Sequence, residues 1–281
     1  MTFIAILIAL VIERFFDWSH LRQWRWFVAY AQIILKKIPG KSPYVLLTVI
    51  IVPLLLGVAM VNIALTGFIY GFPKLVFQLF ILLFCLGSQN LWADTFACVT
   101  ALTQGDAAAK ADKLKACFGV AEINDAQKCH HEFLNKIFIA ANHRVFAVVF
   151  WFMVLGPVGA VLYRLMTIAS SEQAAADLSP EMMQGANVIE NVLDWIPVRI
   201  LTFVFALGGE FVRVIDCWRR RVMFGLMSTQ TMLVDCGFAA LGLDDSSQIA
   251  VDGSAENSAI ALLDRTFVIL LVMIAVIELI I

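Results

Sequence analysis

Residues 44–66 read YVLLTVIIVPLLLGVAMVNIALT and contain no charged side chain. A bilayer core of about 30 Å requires roughly 20 apolar residues in a helix, so this stretch is long enough to cross it. The whole chain of 281 residues has the same character, with 61% hydrophobic residues, 15% charged residues and a mean hydropathy of +0.87. Soluble domains average about 25% charged residues. The composition therefore predicts an integral membrane protein.

The net charge and the cysteine content narrow the class of protein further. The formal net charge of −2 provides no basic face of the kind that binds a phosphate backbone, so we expect no nucleic-acid partner. Six cysteines could form a disulfide framework, but such frameworks concentrate in small secreted domains. We therefore expect six ordinary thiols.

The pattern of apolar segments predicts an all-α membrane bundle. We expect about six membrane helices, some of them short, together with amphipathic interfacial helices and a cytoplasmic helical segment. The first segment lacks the basic start and the cleavage site of a signal peptide, so we expect it to remain in the protein. The six segments are residues 1–12, 44–66, 75–92, 145–166, 195–208 and 266–281.

Lysine and arginine set the predicted orientation, because these residues collect in cytoplasmic loops. The five connections between the six segments contain six, one, six, none and five of them in chain order, which puts 17 on one side and one on the other. Arg164 and Arg199 lie at membrane depth and complete the 20. We therefore predict a single membrane domain over residues 1–281, with both ends outside and with cytoplasmic segments at 93–144 and 209–265.

The predicted cytoplasmic segments contain several local signals. Residues 17–38 and 210–241 interleave aromatic or apolar residues with basic ones, which is typical of helices at the membrane interface. The first of them could instead be a surface that senses lipid or phosphate. Asp106 is a candidate N-cap, and the polar stretch at 244–258 predicts a loop.

The spacing of cysteine, histidine and glycine residues indicates neither a metal site nor a nucleotide-binding site. Structural zinc sites use paired cysteine and histidine spacings, and the sequence contains neither those pairs nor a glycine-rich phosphate-binding loop. We expect no metal and no cofactor. The residues considered for zinc are Cys117, Cys129, His130, His131 and His143.

Polar residues at membrane depth are the candidates for function, because charge in a bilayer is costly. Glu190, Asn191 and Asp194 fall at helical spacing and can share one broad face. Pro197 releases a backbone carbonyl, and Arg199 can turn back toward Asp194 or another acid. This pattern has two interpretations, a polar ligand pocket or a buried ion pair that fixes helix packing. Further candidates are Arg164 and the pair Glu13 and Arg14.

Two motifs resemble one known family. Residues 8–16 (IALVIERFF) and 193–199 (LDWIPVR), together with the multi-pass layout at this chain length, are similar to the AmpE family. The resemblance implies an inner-membrane regulatory or signalling protein of Gram-negative bacteria that is associated with β-lactamase induction and antibiotic resistance. It also implies a functional link to AmpD, the cytosolic amidase that recycles anhydromuropeptides.

A more distant resemblance links the chain to the adenosylcobinamide-phosphate synthase family of cobalamin biosynthesis, the CbiB type. That pattern contains a Gly-Asp helix start, a G-x-P-G-A segment followed by Tyr-Arg, and a final P-A-R. The corresponding segments are residues 105–106 (GD), 150–151 (FW), 156–160 (GPVGA), 163–164 (YR) and 197–199 (PVR). The resemblance implies a shared scaffold.

Three acidic motifs of that synthase pattern are replaced in this sequence. The motif E-N-x-x-D-G corresponds to residues 139–144, N-x-x-D to residues 167–170 and L-D-D-x-x-N to residues 189–194. In the last of these, Glu190, Asn191 and Asp194 are polar like the motif residues but are not identical to them. A carboxylate replaced by isoleucine or serine cannot hold Mg²⁺. The departures therefore argue against the synthase reaction.

Three functions follow as hypotheses. The first is a regulatory membrane protein with a small-ligand pocket near Asp194 and Arg199. The second is a membrane enzyme on a CbiB-like scaffold that acts on a phosphorylated or amphiphilic small molecule. The third is a transporter, which the sequence disfavours because it shows no internal repeat.

Overall fold

The computed structural model is helical throughout the part of the chain that it describes. The described residues are 2–15, 24–38, 42–66, 71–86, 91–104, 107–120, 125–171, 178–222, 225, 228–243 and 252–280. The helices are α1 (Thr2–Phe15), α2 (Arg25–Lys37), α3 (Pro43–Ala64), α4 (Phe72–Cys85), α5 (Leu91–Gln104), α6 (Ala107–Phe118), α7 (Ala126–Ala141), α8 (Ala147–Leu155), α9 (Pro157–Ala169), α10 (Pro180–Gly208), α11 (Phe211–Arg221), α12 (Thr229–Ala240) and α13 (Ser254–Ile280). A π-helical turn, Asn142–Phe146, joins α7 to α8.

Among the described residues, three helices are long and apolar enough to cross a membrane, namely Pro43–Ala64, Ala126–Leu155 and Ser254–Ile280. The first coincides with the apolar stretch that led to the membrane prediction. Shorter apolar helices accompany them within α1, α4, α5 and α9. The all-α fold is confirmed, and the number of about six membrane helices stays a prediction.

The helix Ala126–Leu155 differs from the predicted span at 145–166. It ends at Gly156, whose φ of +66° and ψ of −153° lie in a region that glycine adopts at low cost. Pro157 then begins α9, because proline is favoured at the first helical position. The predicted single span is therefore two helices, and α9 packs against α8.

The other predicted segments map onto the helices with shifted boundaries. The apolar run at 75–92 is not one helix, since α4 ends at Cys85 and α5 begins at Leu91. The short run at 195–208 is the second half of α10, and the described part of the run at 266–281 is the second half of α13.

The interfacial predictions are described only in part. Residues 17–38 contain α2, and the described part of residues 210–241 contains the two helices α11 and α12. Asp106 and most of the predicted loop at 244–258 lie outside the described residues, and α13 already begins at Ser254.

The chain divides into two compact units. The first is Met1–Ser88 with Ala147–Asp194, and the second is Gln89–Phe146 with Trp195–Ile281. In the first unit α9 packs against α3, α4 and α8, and α1 packs against α4. In the second unit α7 packs against α12 and α13, and α11 packs against α12.

Close packing of α9 against α8 in the first unit depends on Gly159. A Cβ atom at this position would lie 2.3 Å from the Trp151 carbonyl oxygen and 2.7 Å from the Leu155 Cβ. Glycine avoids both overlaps, and the turn then places the fully buried Tyr163 in the interior of the unit.

A substitution at Gly159 tests this packing. Gly159→Ala is expected to destabilise the protein by about 1–3 kcal/mol, because the added methyl group overlaps backbone atoms that cannot rotate away. The measurement is thermal unfolding of the purified protein in detergent, followed by tryptophan fluorescence. Gly57→Ala is the control, since a Cβ there meets no atom within 4 Å and alanine favours the helix by up to about 1 kcal/mol. Equal melting temperatures for the two variants would contradict the packing described here.

Candidate functional site

Buried charge marks the candidate site in the first unit. Among the described residues of this unit, the charged side chains that are buried are Glu13, Arg164, Glu190 and Asp194. Removing an ion from water costs several kcal/mol unless partners compensate, so such groups need a local explanation. All four are among the residues that the sequence singled out.

Asp194 is the most deeply buried of these acids and has a direct partner. Its side chain has no exposed surface, and its Oδ1 accepts a hydrogen bond of 2.7 Å from the Tyr163 hydroxyl. Tyr163 is also fully buried. Hydrogen bonds from hydroxyl groups to carboxylates are short and about twice as strong as those between neutral groups. This bond ties α9 to the first half of α10.

Glu190 lies one helical turn before Asp194 in α10, and their carboxylate oxygens come within 4.8 Å of each other. Two ionised carboxylates at this separation in a low-dielectric interior repel each other, so both depend on nearby donors and positive charge. Arg164 supplies buried positive charge beside Tyr163 in α9. Tyr163 and Arg164 are neighbours in α9, and the Tyr163 hydroxyl donates to Asp194. We call these four residues the polar cluster.

Trp151 completes the local structure beside the polar cluster. Pro197 has no N–H group, so it cannot donate to the Leu193 carbonyl four residues earlier in α10. The Trp151 indole N–H donates to that carbonyl over 3.2 Å. The sequence predicted a released carbonyl in this segment, and the structure identifies its donor as a tryptophan on α8.

The remaining predicted residues lie in other surroundings. Asn191 is half-buried and donates to the Asn187 carbonyl of its own helix. The Arg199 guanidinium donates to the Val222 carbonyl at 3.0 Å and stacks 3.9 Å above the Trp195 ring. These contacts anchor Arg199 to backbone and indole groups of the second unit.

Two further candidates belong to α1. Glu13 is buried. The side chain of Arg14 lies outside what the structure describes.

Tyr163 is the residue that sequence reasoning left out of the site. A tyrosine in an apolar helix is ordinary, and its partner is 31 residues away in the chain. The available signal was the pair 163–164 (YR) after 156–160 (GPVGA), which the resemblance treated as scaffold.

A second buried polar pair lies in the other unit. His130 Nδ1 and Glu256 Oε1 are 2.5 Å apart, and neither side chain has exposed surface. His130 was considered as a zinc ligand from the sequence, and the structure gives it a carboxylate partner. The pair links α7 to α13.

The Tyr163 hydrogen bond can be tested by removing one oxygen atom. Tyr163→Phe is expected to lower stability by about 1–3 kcal/mol, because the buried Asp194 carboxylate loses a donor that water cannot replace. The measurement is thermal unfolding in detergent. Tyr44→Phe is the matched control, since Tyr44 is half exposed and its loss of a hydroxyl is expected to stay within about 0.5 kcal/mol. An unchanged Tyr163→Phe melting temperature would show that Asp194 does not depend on this bond.

Comparison with known proteins gives relatives of two kinds. The chain is 31% identical over 100 residues to the cobalamin biosynthesis protein CobD of Stutzerimonas stutzeri (strain A1501), a match covering 35% of this chain and 33% of that protein. The CobD of Chromobacterium violaceum is 30% identical over 100 residues, covering 35% and 32% of the two chains. These matches span about a third of each CobD protein. No solved structure matches.

The other relative is the protein AmpE of Shigella flexneri, 29% identical over 163 residues, which are 55% of this chain and 57% of that protein. The family model described as "Regulatory signalling modulator protein AmpE" matches residues 1–280. That match covers nearly the whole chain, including both motifs noted in the sequence. The chain therefore belongs to the AmpE family.

Proposed function

We propose that this protein is a multi-pass regulatory protein of the bacterial inner membrane that modulates β-lactamase induction and binds a small ligand at the polar cluster. The observation that carries the regulatory role is the family match over residues 1–280. Three helices of membrane-spanning length support the location. The setting, peptidoglycan recycling with a link to the amidase AmpD, comes from the family resemblance.

The proposed orientation follows the charge distribution. The segments at 93–144 and 209–265 contain 11 of the 20 lysine and arginine residues and face the cytoplasm under the positive-inside rule. A cytosolic partner such as AmpD would meet the protein on these segments. The lipid bilayer is the second proposed partner.

Charge balance in the polar cluster indicates the chemistry of the ligand. Two buried carboxylates, Glu190 and Asp194, stand against one buried guanidinium, Arg164. Carboxylate oxygens accept hydrogen bonds, so these two side chains favour a ligand that presents amine, amide or hydroxyl donors. A phosphate group placed beside the two carboxylates would be repelled. The proposed ligand is therefore a small polar molecule rich in hydrogen-bond donors.

The alternative is a membrane enzyme on a CbiB-like scaffold that acts on a phosphorylated or amphiphilic molecule. The CobD relatives favour it, since 100 residues match at 31% identity. The replaced acidic motifs at 139–144 and 167–170 oppose it, because they leave fewer carboxylates to hold a metal or activate an acid. The charge balance of the polar cluster opposes a phosphorylated substrate in particular.

A cellular experiment tests the regulatory proposal. In a strain that lacks its own copy, the double variant Glu190→Gln/Asp194→Asn is expected to reach normal abundance in the membrane and to fail to restore induced β-lactamase activity. The amides keep the shape of the side chains and remove the charge that the ligand recognises. The measurements are hydrolysis of a chromogenic cephalosporin and immunoblotting of the membrane fraction.

Glu181→Gln is the matched control, because it makes the same change on an exposed residue of the same helix. It is expected to restore induction fully. Full induction with the double variant would contradict a ligand role for the polar cluster. Loss of the double variant from the membrane would assign the two carboxylates to folding instead.

A further inference from the structure

Helices α11 and α12 form an antiparallel hairpin in the second unit. At one end the Glu210 N–H donates to the Ala240 carbonyl over 3.1 Å. At the other end the Arg221 guanidinium pairs with the Asp235 carboxylate at 2.5 Å. The two contacts lie at opposite ends of α11 and therefore fix how the helices align.

Gly209 allows the hairpin to close tightly. A Cβ at Gly209 would lie 2.5 Å from the Ala240 carbonyl oxygen. Because a larger residue would push the helices apart at this end, the glycine keeps α11 and α12 in direct contact. Side chains in the middle of the hairpin are thereby held in defined positions.

Two thiols face each other between these contacts. The Cys217 and Cys236 Sγ atoms are 3.4 Å apart, and the Cys236 thiol donates a hydrogen bond to the Cys217 sulfur. Both are free cysteines. A disulfide requires an Sγ–Sγ distance of about 2.0 Å, so bond formation needs an approach of about 1.4 Å. Cys217 keeps 7% of its surface exposed and Cys236 none, so a small oxidant meets Cys217 first.

Electrostatics distinguish the two thiols. The hydrogen bond from Cys236 lowers the pKa of Cys217, and the guanidinium groups of Arg221 and Arg220 act in the same direction. The same hydrogen bond raises the pKa of Cys236, and burial adds to the effect. The thiolate is the nucleophilic form, so Cys217 is the attacking residue and Cys236 the resolving one.

We propose that Cys217 and Cys236 are a redox-active dithiol that a peroxide oxidises to a disulfide between α11 and α12. The Cys217 thiolate attacks one peroxide oxygen and breaks the O–O bond, which forms a sulfenic acid and releases hydroxide. The Cys236 sulfur, on losing its proton, attacks the sulfenic sulfur and displaces hydroxide, and the two hydroxide ions leave as water with the two thiol protons. Two thiols and one hydrogen peroxide thus give one disulfide and two waters, and the peroxide accepts two electrons.

Cys98 and Cys117 provide an internal comparison. The Cys98 thiol donates to the Lys113 carbonyl over 3.9 Å. Burial raises the pKa of Cys98 to about 12 and also raises that of Cys117. Neither thiol of that pair has the lowered pKa of Cys217. Peroxide is therefore expected to join 217 to 236 and to leave Cys98 and Cys117 reduced.

The test uses the purified full-length protein in detergent, treated with hydrogen peroxide and then alkylated under denaturing conditions. The number of alkylated thiols is expected to fall from six to four, with a loss of about 2 Da from the intact mass because two hydrogens leave. Trypsin is expected to give a linked pair of the peptides 214–219 and 222–265. Dithiothreitol is expected to restore all six thiols.

Variants make the result specific. Cys217→Ser and Cys236→Ser are each expected to abolish the linked pair, and Cys129→Ser is expected to keep it. Three results in the unsubstituted protein would overturn the proposal: six alkylated thiols after peroxide, a link between Cys98 and Cys117 instead, or Cys217 overoxidised to a sulfinic acid while Cys236 stays alkylatable.

Discussion

The cost of burying a carboxylate governs the arrangement of the first unit. Asp194 has no exposed surface in a chain whose residues are 61% hydrophobic, and a charge in such a place must be met by donors from its neighbours. The Tyr163 hydroxyl meets it at 2.7 Å. The helix break at Gly156 and the close approach at Gly159 position α9 and its Tyr163 hydroxyl. Both features therefore support this hydrogen bond.

Local sequence patterns were enough to predict part of this architecture. The uninterrupted apolar run at 44–66 predicted α3, and the four-residue spacing predicted that Glu190 and Asp194 share a helix face. Both features depend on neighbours within one or two helical turns. The same holds for the carbonyl released by Pro197.

Features that depend on distant contacts or on one backbone angle were not predictable in this way. Hydropathy is averaged over many residues, so the apolar run at 145–166 gave no sign of the positive φ at Gly156. This backbone angle divides the run into two helices. Tyr163 was missed because its partner is 31 residues away. The bond from Arg199 to the Val222 carbonyl was also not predicted, because this acceptor lies 23 residues along the chain.

The two groups of relatives bear on the proposed function differently, because they match different lengths of this chain. The family match reaches residue 280, whereas the CobD matches cover about a third of the chain. The segment 156–164, which the synthase resemblance includes, builds the turn that positions Tyr163 and Arg164. A scaffold that holds buried charge can thus serve ligand recognition after the acidic motifs of a synthase have been replaced.

Native mass spectrometry of the protein purified in mild detergent tests the central claim most directly. We predict a discrete adduct of a small molecule on the unsubstituted protein and on Glu181→Gln, and its loss from Asp194→Asn. An adduct that persists in Asp194→Asn, or a spectrum of the bare protein in all three samples, would contradict a ligand site at the polar cluster.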